Sequence, residues 1–493
     1  MDRFLKNQFA FHLMEPSLFL TCFFAYVMGM IVFGWWMSRR KQTGDTFLLG
    51  GRALPFFLTL GTTVATMVGT GSSMGAVGKG YANGWTGSLY GIGGTIGILL
   101  TAWLFAPVRK HRFMTMAEEL SSNTGANRAV SNIVGIFSYL ACVGWLGLHI
   151  LGGGKYLVFV TGIDPFWAKT YIALGFGIYA MIGGYLAVVW TDSAQAIVLF
   201  AGFLVIAFFS FQAVGGWSGL REVNAILAAK PDAPSTLTLI SLTVVIAVGV
   251  LGNPCFRQRI YSGKTIPEIR KAFVISGILY LGFAVLPAII GMTAYKNFPN
   301  LTNADLAFPK MATDILPVAG GIVILLAGLS ATMSSASSDA VAGVTTLVRD
   351  LYKLVFGRMP QAGRVVLISR IALGLTTGFA LGMALVADNV IGYIKVMIPL
   401  FISGMCVCGI LGRLWKRYNA AGAIASLLGA CATSASVMLV PEWEAYWEGE
   451  PVIPSILIAT AAGVFVSLLT SPEKLSREEA LAQLAKERQT MES

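Results

Sequence analysis

The stretch ATMSSASSDAVAG, residues 331–343, sets four serines and one carboxylate inside a long apolar run. In a helix, Ser334, Ser335 and Ser338 would share one face, because they stand at i, i+1 and i+4. Each hydroxyl could instead bond back to its own helix, and small residues also allow close helix packing. That explanation suits an ordinary pair of serines better than four serines followed by Asp339. The segment is therefore a candidate polar site within an apolar helix.

The composition of the chain is that of a membrane protein. Its 493 residues are 56% hydrophobic and only 12% charged, and a soluble protein cannot cover its surface with so few charges. Apolar runs of about 20 residues recur along the chain, each long enough to cross a bilayer as a helix. Since the alternating pattern of a membrane β-barrel is absent, we predict an all-α polytopic membrane protein.

We predict about 13 transmembrane helices. The first run is long enough to remain as a helix and lacks the cleavage pattern of a signal peptide. The predicted spans cover 18–38, 53–80, 84–107, 129–161, 164–186, 189–215, 235–255, 271–295, 316–347, 364–388, 389–412, 419–440 and 452–470.

Lysine and arginine concentrate in alternate loops, which sets the orientation. The opposite loops hold few of them, and one, EWEAYWEGE at 442–450, is strongly acidic. We therefore expect an integral plasma-membrane protein, of a bacterial cytoplasmic membrane, with the N-terminus outside and the C-terminus cytoplasmic. The net charge of +11 then belongs to the cytoplasmic face, and no nucleic-acid partner is expected. The basic loops hold Arg39, Arg40, Lys41, Arg52, Arg109, Lys110, Arg112, Arg128, Arg257, Arg259, Lys264, Arg270, Lys271, Arg349, Lys353, Arg358, Arg364, Arg413, Lys416 and Arg417.

The C-terminal tail is predicted to form a short cytoplasmic helix. Ser476 and Glu479 have the spacing of a capping box, which marks a helix start. The charges that follow are interpreted as a solvated face.

Two glycine-rich segments predict helix breaks that could supply backbone ligands. One is VGTGSSMGAVGKGY at 68–81, and the other is VGVLGNP at 248–254. A hard cation such as sodium needs several oxygen ligands, so hydroxyls of 331–343 would be joined by carbonyls freed at a break. The two breaks lie five spans apart, and interrupted spans in corresponding positions are typical of inverted-repeat transporters.

Three further polar residues within spans are candidates for function, because such residues are costly in a membrane. Asp192 stands in VVWTDSAQ, where it could serve as a helix N-cap or as a neighbour of the serine segment. Asp339 could add charge to the ion path. His149, one turn from Trp145, could bind a proton or the solute.

Three segments together resemble the sodium/solute symporter family, whose members carry proline, pantothenate, choline, sialic acid or glucose with sodium. They are FLLGGRALPFFLTLGTTVATMVGTG (47–71), VWTDSAQAIVL (189–199) and GLSATMSSASSDAVAGVTTLVRDLY (328–352). The resemblance covers almost the whole chain and implies the five-plus-five inverted repeat of a bacterial leucine transporter. It implies a segment with an extra helix at 1–52, repeats at 53–215 and 216–412, two C-terminal helices at 413–471 and a cytoplasmic tail at 472–493.

The resemblance also implies ion sites, one conserved and one shared by some members. Sodium site one falls on the carbonyls of Ala65, Val68 and Ala331 and the hydroxyls of Ser334 and Ser335. Sodium site two falls on Asp192, Ser334, Ser337 and Ser338.

The implied solute pocket consists of Thr70, Ser72, Tyr90, Trp145 and Asn253. Trp145 stands where the sialic acid carrier has an arginine that binds the substrate carboxylate. Met67 stands where choline carriers have a tryptophan. Loss of that arginine favours a neutral or zwitterionic solute.

The function predicted is sodium-coupled symport of a small organic solute by alternating access, with one or two sodium ions and no organic cofactor. Membrane lipid is the other expected partner, and a monomer is expected to function. The alternatives are proton coupling through Asp192, Asp339 and His149, or a channel or membrane sensor. An enzyme is not expected, because the chain has no HExxH motif and no cluster of histidines or carboxylates.

Overall fold

The fold is described from a computed structural model that covers residues 15–39, 42–387 and 390–492. The described residues form helices and contain no strand, only one isolated β-bridge between Leu54 and Gly263. The all-α prediction is therefore confirmed for them. The N-terminus, which is predicted to be outside, does not belong to the described residues. The basic residues Arg40 and Lys41 do not belong to them either.

Residues 16–297 form thirteen of the α-helices that we number. They are α1 (Pro16–Ser38), α2 (Gly44–Leu49), α3 (Phe56–Met67), α4 (Ala76–Asn83), α5 (Ser88–Leu104), α6 (Met116–Ser122), α7 (Arg128–Thr161), α8 (Pro165–Val214), α9 (Gly216–Ala228), α10 (Thr236–Leu251), α11 (Pro254–Ser262), α12 (Ile266–Phe283) and α13 (Val285–Asn297).

The segment from residue 307 onward continues the numbering. Its helices are α14 (Ala307–Asp314), α15 (Val318–Thr346), α16 (Tyr352–Phe356), α17 (Val365–Val386), α18 (Val390–Met397), α19 (Ser403–Leu414), α20 (Ala420–Leu439), α21 (Pro441–Tyr446), α22 (Val452–Leu469) and α23 (Arg477–Glu492). Single π-helical turns at Gly71–Gly75, Leu347–Leu351 and Ile398–Ile402 join some of them.

Within the described ranges, 11 helical stretches are long and apolar enough to cross a membrane. One of them, α8, has 50 residues, about 75 Å at 1.5 Å per residue, which is more than twice the hydrocarbon thickness. It bends at Gly184, where φ is 60° and ψ is −153°. A Cβ there would lie 2.6 Å from the Phe47 carbonyl oxygen, so only glycine fits. The count of 13 spans stays a prediction.

The outer helices expose large apolar side chains, as a lipid-facing surface requires. Trp103, Ile197, Leu375 and Phe465 are each more than 60% exposed. By contrast, α15 is buried along most of its length and packs along α7 and α8. The serine segment therefore lies at the centre of the bundle.

Both predicted helix breaks are present. Helix α3 ends at Met67, and Val68 leaves helical geometry with φ −92° and ψ 60° before the π-helical turn. Helix α10 ends at Leu251, and α11 begins at Pro254 after Gly252 and Asn253. The Asn253 side chain caps α11 by accepting a hydrogen bond from Cys255 N at 2.7 Å.

The assignment of Arg257 and Arg259 to a basic loop is wrong. Both lie within α11 and are fully buried. The reason is that the chain resumes a helix directly after the break, because Asn253 supplies the N-cap and Pro254 the first helical position. Arg257 and Arg259 are therefore part of the protein interior, and so is Arg349 in the π-helical turn after α15.

The tail forms α23, and the predicted capping box is present. Ser476 N donates to Glu479 Oε2 at 2.8 Å, and Glu479 N donates to Ser476 Oγ at 3.2 Å. The inner face of the helix is not solvated, since Leu484 and Arg488 are buried. The Arg488 guanidinium pairs with Glu118 and donates to the carbonyl of His111. The tail therefore lies on the same face as the basic segment before α6.

Candidate functional site

Site one is assembled where the serine face of α15 meets the break after α3. Ser334 Oγ lies 3.2 Å from the carbonyl oxygen of Ala65 and 3.3 Å from that of Ala331. Ser335 Oγ lies 3.3 Å from the carbonyl oxygen of Thr66. All these groups are oxygens, the donor type that a hard cation prefers. The carbonyls are available because α3 stops one turn later.

The residues of site two also converge. The carboxylate of Asp192 accepts hydrogen bonds from Ser338 Oγ at 2.8 Å and from Ser337 Oγ at 3.4 Å. Ser334 contributes only its carbonyl, which accepts from Ser337 Oγ at 3.1 Å, while its hydroxyl faces site one. Helix α8 continues through Asp192. The N-cap alternative is therefore wrong, and the carboxylate belongs to the polar centre.

An arginine that the sequence analysis placed in a loop reaches the same carboxylate. Arg259 Nη2 lies 3.7 Å from Asp192 Oδ2 and donates to Ser338 Oγ at 2.8 Å. It also donates to Thr62 Oγ1 at 2.9 Å, and that hydroxyl donates to Asp192 Oδ2 at 2.6 Å. Thr66 Oγ1 is a further acceptor of the guanidinium. The buried charge of Asp192 is thus balanced by a cation of the chain itself.

A second buried acid faces a histidine. His149 Nε2 lies 3.3 Å from Asp339 Oδ2, and His149 Nδ1 lies 2.9 Å from Thr70 Oγ1. The ring of Trp145 stacks on the His149 ring, with a centroid distance of 6.2 Å. Asp339 and His149 are both nearly fully buried. Asp339 and His149 therefore form one buried pair.

This pair lines a small central cavity of the helical bundle. Its walls come from both breaks and from α5, α7, α10, α12 and α15. The lining residues are Thr66, Met67, Gly69, Gly71, Tyr90, Gly94, Trp145, His149, Ile246, Gly249, Val250, Asn253, Phe256, Tyr280 and Asp339.

Three of the five predicted pocket residues line the cavity, namely Tyr90, Trp145 and Asn253. Thr70 and Ser72 lie behind the wall. The hydroxyl of Thr70 is engaged with His149, and Ser72 Oγ donates to the carbonyl oxygen of Gly69 at 3.0 Å. Both side chains therefore support the broken helix instead of facing the cavity.

Gly69 lies between the hydroxyl of Ser335 and the ring of His149, which lines the cavity. A Cβ at this position would lie 2.6 Å from Ser335 Oγ and 3.0 Å from His149 Cε1. Only the absence of a side chain lets the serine and the histidine approach the break from two sides. A shift of the backbone at Gly69 would thus be felt at both sites.

Residues 47–429 match the model of the sodium:solute symporter family. The chain belongs to this family. This symporter is similar to the sodium/pantothenate symporter of Haemophilus influenzae, with 24% identity over 438 residues that cover 83% of this chain and 87% of the relative. It is also similar to the osmoregulated proline transporter OpuE of Bacillus subtilis, with 26% identity over 477 residues that cover 92% and 95% of the two chains.

Solved structures identify the fold of the symporter. A substrate-bound, outward-open Na⁺-coupled sialic acid symporter matches with a TM-score of 0.80 and 21% identity, covering 93% of this chain and 98% of that chain. The transporter MhsT in complex with L-phenylalanine matches with a TM-score of 0.52 and 14% identity, covering 83% and 97%. The predicted leucine-transporter-like fold is confirmed.

Family membership confirms the predicted function at the level of its class. The protein is an integral membrane carrier that couples sodium to the transport of a small solute by alternating access, and it belongs to a family of transporters and not of enzymes. The relatives carry different solutes, so their names do not define the solute of this symporter.

Arg259, Thr62 and Thr66 also belong to this polar cluster, although they are not among the site residues predicted from the sequence. A signal for each was present. Asn253 and Pro254 are helix-start residues, which indicates that Arg259 follows in a helix. Thr62 and Thr66 are spaced i and i+4 in α3, and therefore share one face.

Proposed function

We propose that this symporter binds its coupling sodium ion at site one and its solute in the central cavity. The observation that supports this most directly is the meeting of the Ser334 and Ser335 hydroxyls with carbonyls at the break after α3. A sodium ion there would hold α15 against the first repeat. Entry of one charge down the membrane potential supplies about 2.3 kcal/mol per 100 mV, which drives uptake of a neutral or zwitterionic solute.

Ion and solute are proposed to be coupled through the broken helix. Thr66 contributes its carbonyl to Ser335 on the ion side and lines the cavity on the solute side. Gly69 lies between Ser335 and His149. When sodium fixes the carbonyls at the break, it therefore also fixes one wall of the cavity. The free energy needed to order that wall when the solute binds is then smaller, so the solute binds more tightly.

We propose that site two is a cation site for which Arg259 and a sodium ion compete. Asp192, Ser337 and Ser338 supply the oxygens, and the guanidinium of Arg259 already contacts two of these side chains. A second sodium ion would have to displace that guanidinium. Two-ion coupling would then be linked to a movement of α11, whereas one-ion coupling would leave the Arg259–Asp192 pair intact.

The predicted orientation and repeats complete the proposal. The N-terminus is proposed to be outside, the C-terminal tail cytoplasmic, and residues 53–215 and 216–412 to be the two inverted repeats. The positions of the breaks, one in each of these segments, support that division. A functional monomer in the bacterial cytoplasmic membrane remains part of the proposal.

Proton coupling is a second candidate, which the contact between His149 and Asp339 favours. The two candidates differ in a simple measurement. Uptake into proteoliposomes at constant pH should require a sodium gradient if site one drives transport. A pH gradient without sodium should then produce no accumulation.

The test of site one compares three hydroxyls of α15. Ser334→Ala and Ser335→Ala should each raise the sodium concentration for half-maximal uptake several-fold, because each removes one oxygen ligand. Thr332→Val is the control, since the Thr332 hydroxyl bonds to the Leu329 carbonyl of its own helix at 2.9 Å. If both serine variants keep the sodium dependence of the parent, sodium does not bind at site one.

A further inference from the structure

The wall of the solute cavity carries one carboxylate and no fixed cation. Among the described residues that line it, Asp339 is the one acid, and neither lysine nor arginine is present. The nearby guanidinium of Arg259 is engaged with Asp192 and with the hydroxyls around it. None of the described lining residues therefore offers a fixed positive charge to the Asp339 carboxylate.

Both ring nitrogens of His149 have a contact. Its Nδ1 atom is 2.9 Å from Thr70 Oγ1, and its Nε2 atom faces Asp339 Oδ2 at 3.3 Å. When the threonine hydroxyl donates to Nδ1, the imidazole is neutral and its Nε2–H donates to the carboxylate. The histidine then positions one oxygen of Asp339 without neutralising it.

The second oxygen of the same carboxylate is left for a ligand. Asp339 Oδ1 is buried and has no hydrogen-bond partner among the described residues. The indole Nε1 of Trp145, also in the cavity wall, is likewise a buried group without a partner. Buried polar groups are rarely left unpaired in native proteins. The described residues that line the cavity thus include a carboxylate with one unpaired oxygen and an indole with an unpaired N–H.

We infer that Asp339, positioned by His149, binds a protonated N–H group of the solute, and that the indole N–H of Trp145 binds an acceptor oxygen of the same molecule. This inference rests on the proposed function, since it names the solute class of the same cavity. It separates two kinds of zwitterion. A primary or secondary ammonium group can donate to Asp339 Oδ1, whereas a trimethylated ammonium group has no hydrogen to donate.

The test uses the purified full chain and its thermal unfolding midpoint in NaCl and in KCl of equal ionic strength. The probes are matched pairs that differ at the nitrogen. L-Alanine is compared with L-lactate, in which a hydroxyl replaces the amine. L-Proline is compared with N,N-dimethyl-L-proline, and ethanolamine is compared with choline. In these two pairs the second compound has no N–H donor.

In NaCl, at least one amine with N–H should stabilise the parent and bind about tenfold or more tightly than its matched counterpart, because the charge-assisted hydrogen bond is lost in the counterpart. Asp339→Asn should weaken the binding of that amine by a similar factor. It should keep the shift of the unfolding midpoint that NaCl alone produces. Asp314→Asn, an acid outside the cavity, should behave as the parent. Trp145→Phe should weaken the binding of L-alanine more than the binding of ethanolamine, because ethanolamine has no carboxylate.

Four results would overturn the inference. One is that Asp339→Asn binds the amine as the parent does. Another is that a counterpart without N–H binds as tightly, and a third is that no amine stabilises the parent. The fourth is that Asp339→Asn abolishes the NaCl shift without any probe, which would make the carboxylate a sodium ligand. If Asp339→Asn does not fold, the matched pairs on the parent decide alone. Failure of the proposed sodium coupling gives a different result, because NaCl would then strengthen the binding of no probe relative to KCl.

Discussion

Arg259 Nη2 lies 3.7 Å from Asp192 Oδ2, and both side chains are fully buried at the centre of the bundle. Two hydroxyls, those of Thr62 and Ser338, contact both charges. The pair therefore joins α3, α8, α11 and α15 through one polar network. Such a network is stable only while every member is present, since an isolated buried charge is costly.

Arg259→Gln should destabilise the protein by about 3–5 kcal/mol, because it leaves Asp192 buried without its cation. Adding Asp192→Asn should restore a large part of this loss, since neither charge then remains. The measurement is the thermal unfolding midpoint of the two single variants and the double variant. Additive losses in the double variant would show that the two charges do not interact.

Asp192→Asn also bears on the number of ions. If site two carries a second sodium ion, this variant should move less charge per solute molecule than the parent. The ratio of current to solute flux in proteoliposomes measures this directly. An unchanged ratio would leave site one as the one coupling site and Asp192 as the structural partner of Arg259.

Gly69→Ala should impair sodium and solute binding together. The added methyl would press on Ser335 Oγ at 2.6 Å and on His149 Cε1 at 3.0 Å, and overpacking of this kind costs about 1–3 kcal/mol. Titrations of sodium and of solute in an uptake assay should both shift. Gly378→Ala is the control, because a Cβ there has no neighbour within 4 Å. Loss of only one of the two affinities would argue against coupling through Gly69.

Arg488→Gln should loosen the C-terminal helix. The substitution removes the ion pair with Glu118, while Arg349 Nε at 3.4 Å still faces that carboxylate. Limited proteolysis should therefore cut within or before α23 several-fold faster than in the parent. Lys486→Gln alters an exposed charge on the same helix and serves as the control. Equal cleavage rates in the two variants would show that the Arg488 contact does not hold the helix.

The free energy of unfolding should fall in mild acid because of His111, whose carbonyl accepts a hydrogen bond from Arg488. Burial, together with the cations Lys110, Arg477, Arg413 and Arg488, lowers the pKa of His111 from 6.5 to about 4. The unfolded chain therefore takes up a proton before the folded protein does, so stability is lost as the pH falls from 6.5 toward 4. The unfolding midpoint of His111→Gln should depend less on pH over this window. A parallel decline in both proteins would assign the effect to other groups.

The predicted orientation can be tested with single exposed cysteines. Glu442→Cys should react with an impermeant maleimide added to intact cells, and Lys486→Cys should react only after the cells are opened. The parent gives the background from its native cysteines. The reverse pattern would place the C-terminus outside and contradict the orientation drawn from lysine and arginine.

The sequence by itself determined the features that depend on near neighbours along the chain. Apolar runs predicted the membrane helices, because hydropathy acts on each segment separately. Glycine and proline near Val68 and Pro254 predicted the breaks, and the spacing of Ser476 and Glu479 predicted the capping box. The shared face of Ser334 and Ser335 followed from helical geometry alone. The breaks, the capping box and the shared serine face are present in the fold, and 11 helical stretches of the described residues are long and apolar enough to cross a membrane.

Only the tertiary structure decided which polar groups meet. Asp339 and His149 are 190 residues apart, and their contact depends on how α15 packs along α7. Arg259 looked like a loop charge, yet the helix after the second break carries it to Asp192. Thr70 belongs to the predicted pocket segment, yet its side chain turns to His149 behind the wall. Pairing of buried charges is set by desolvation and long-range packing, and neither leaves a periodic pattern in the sequence.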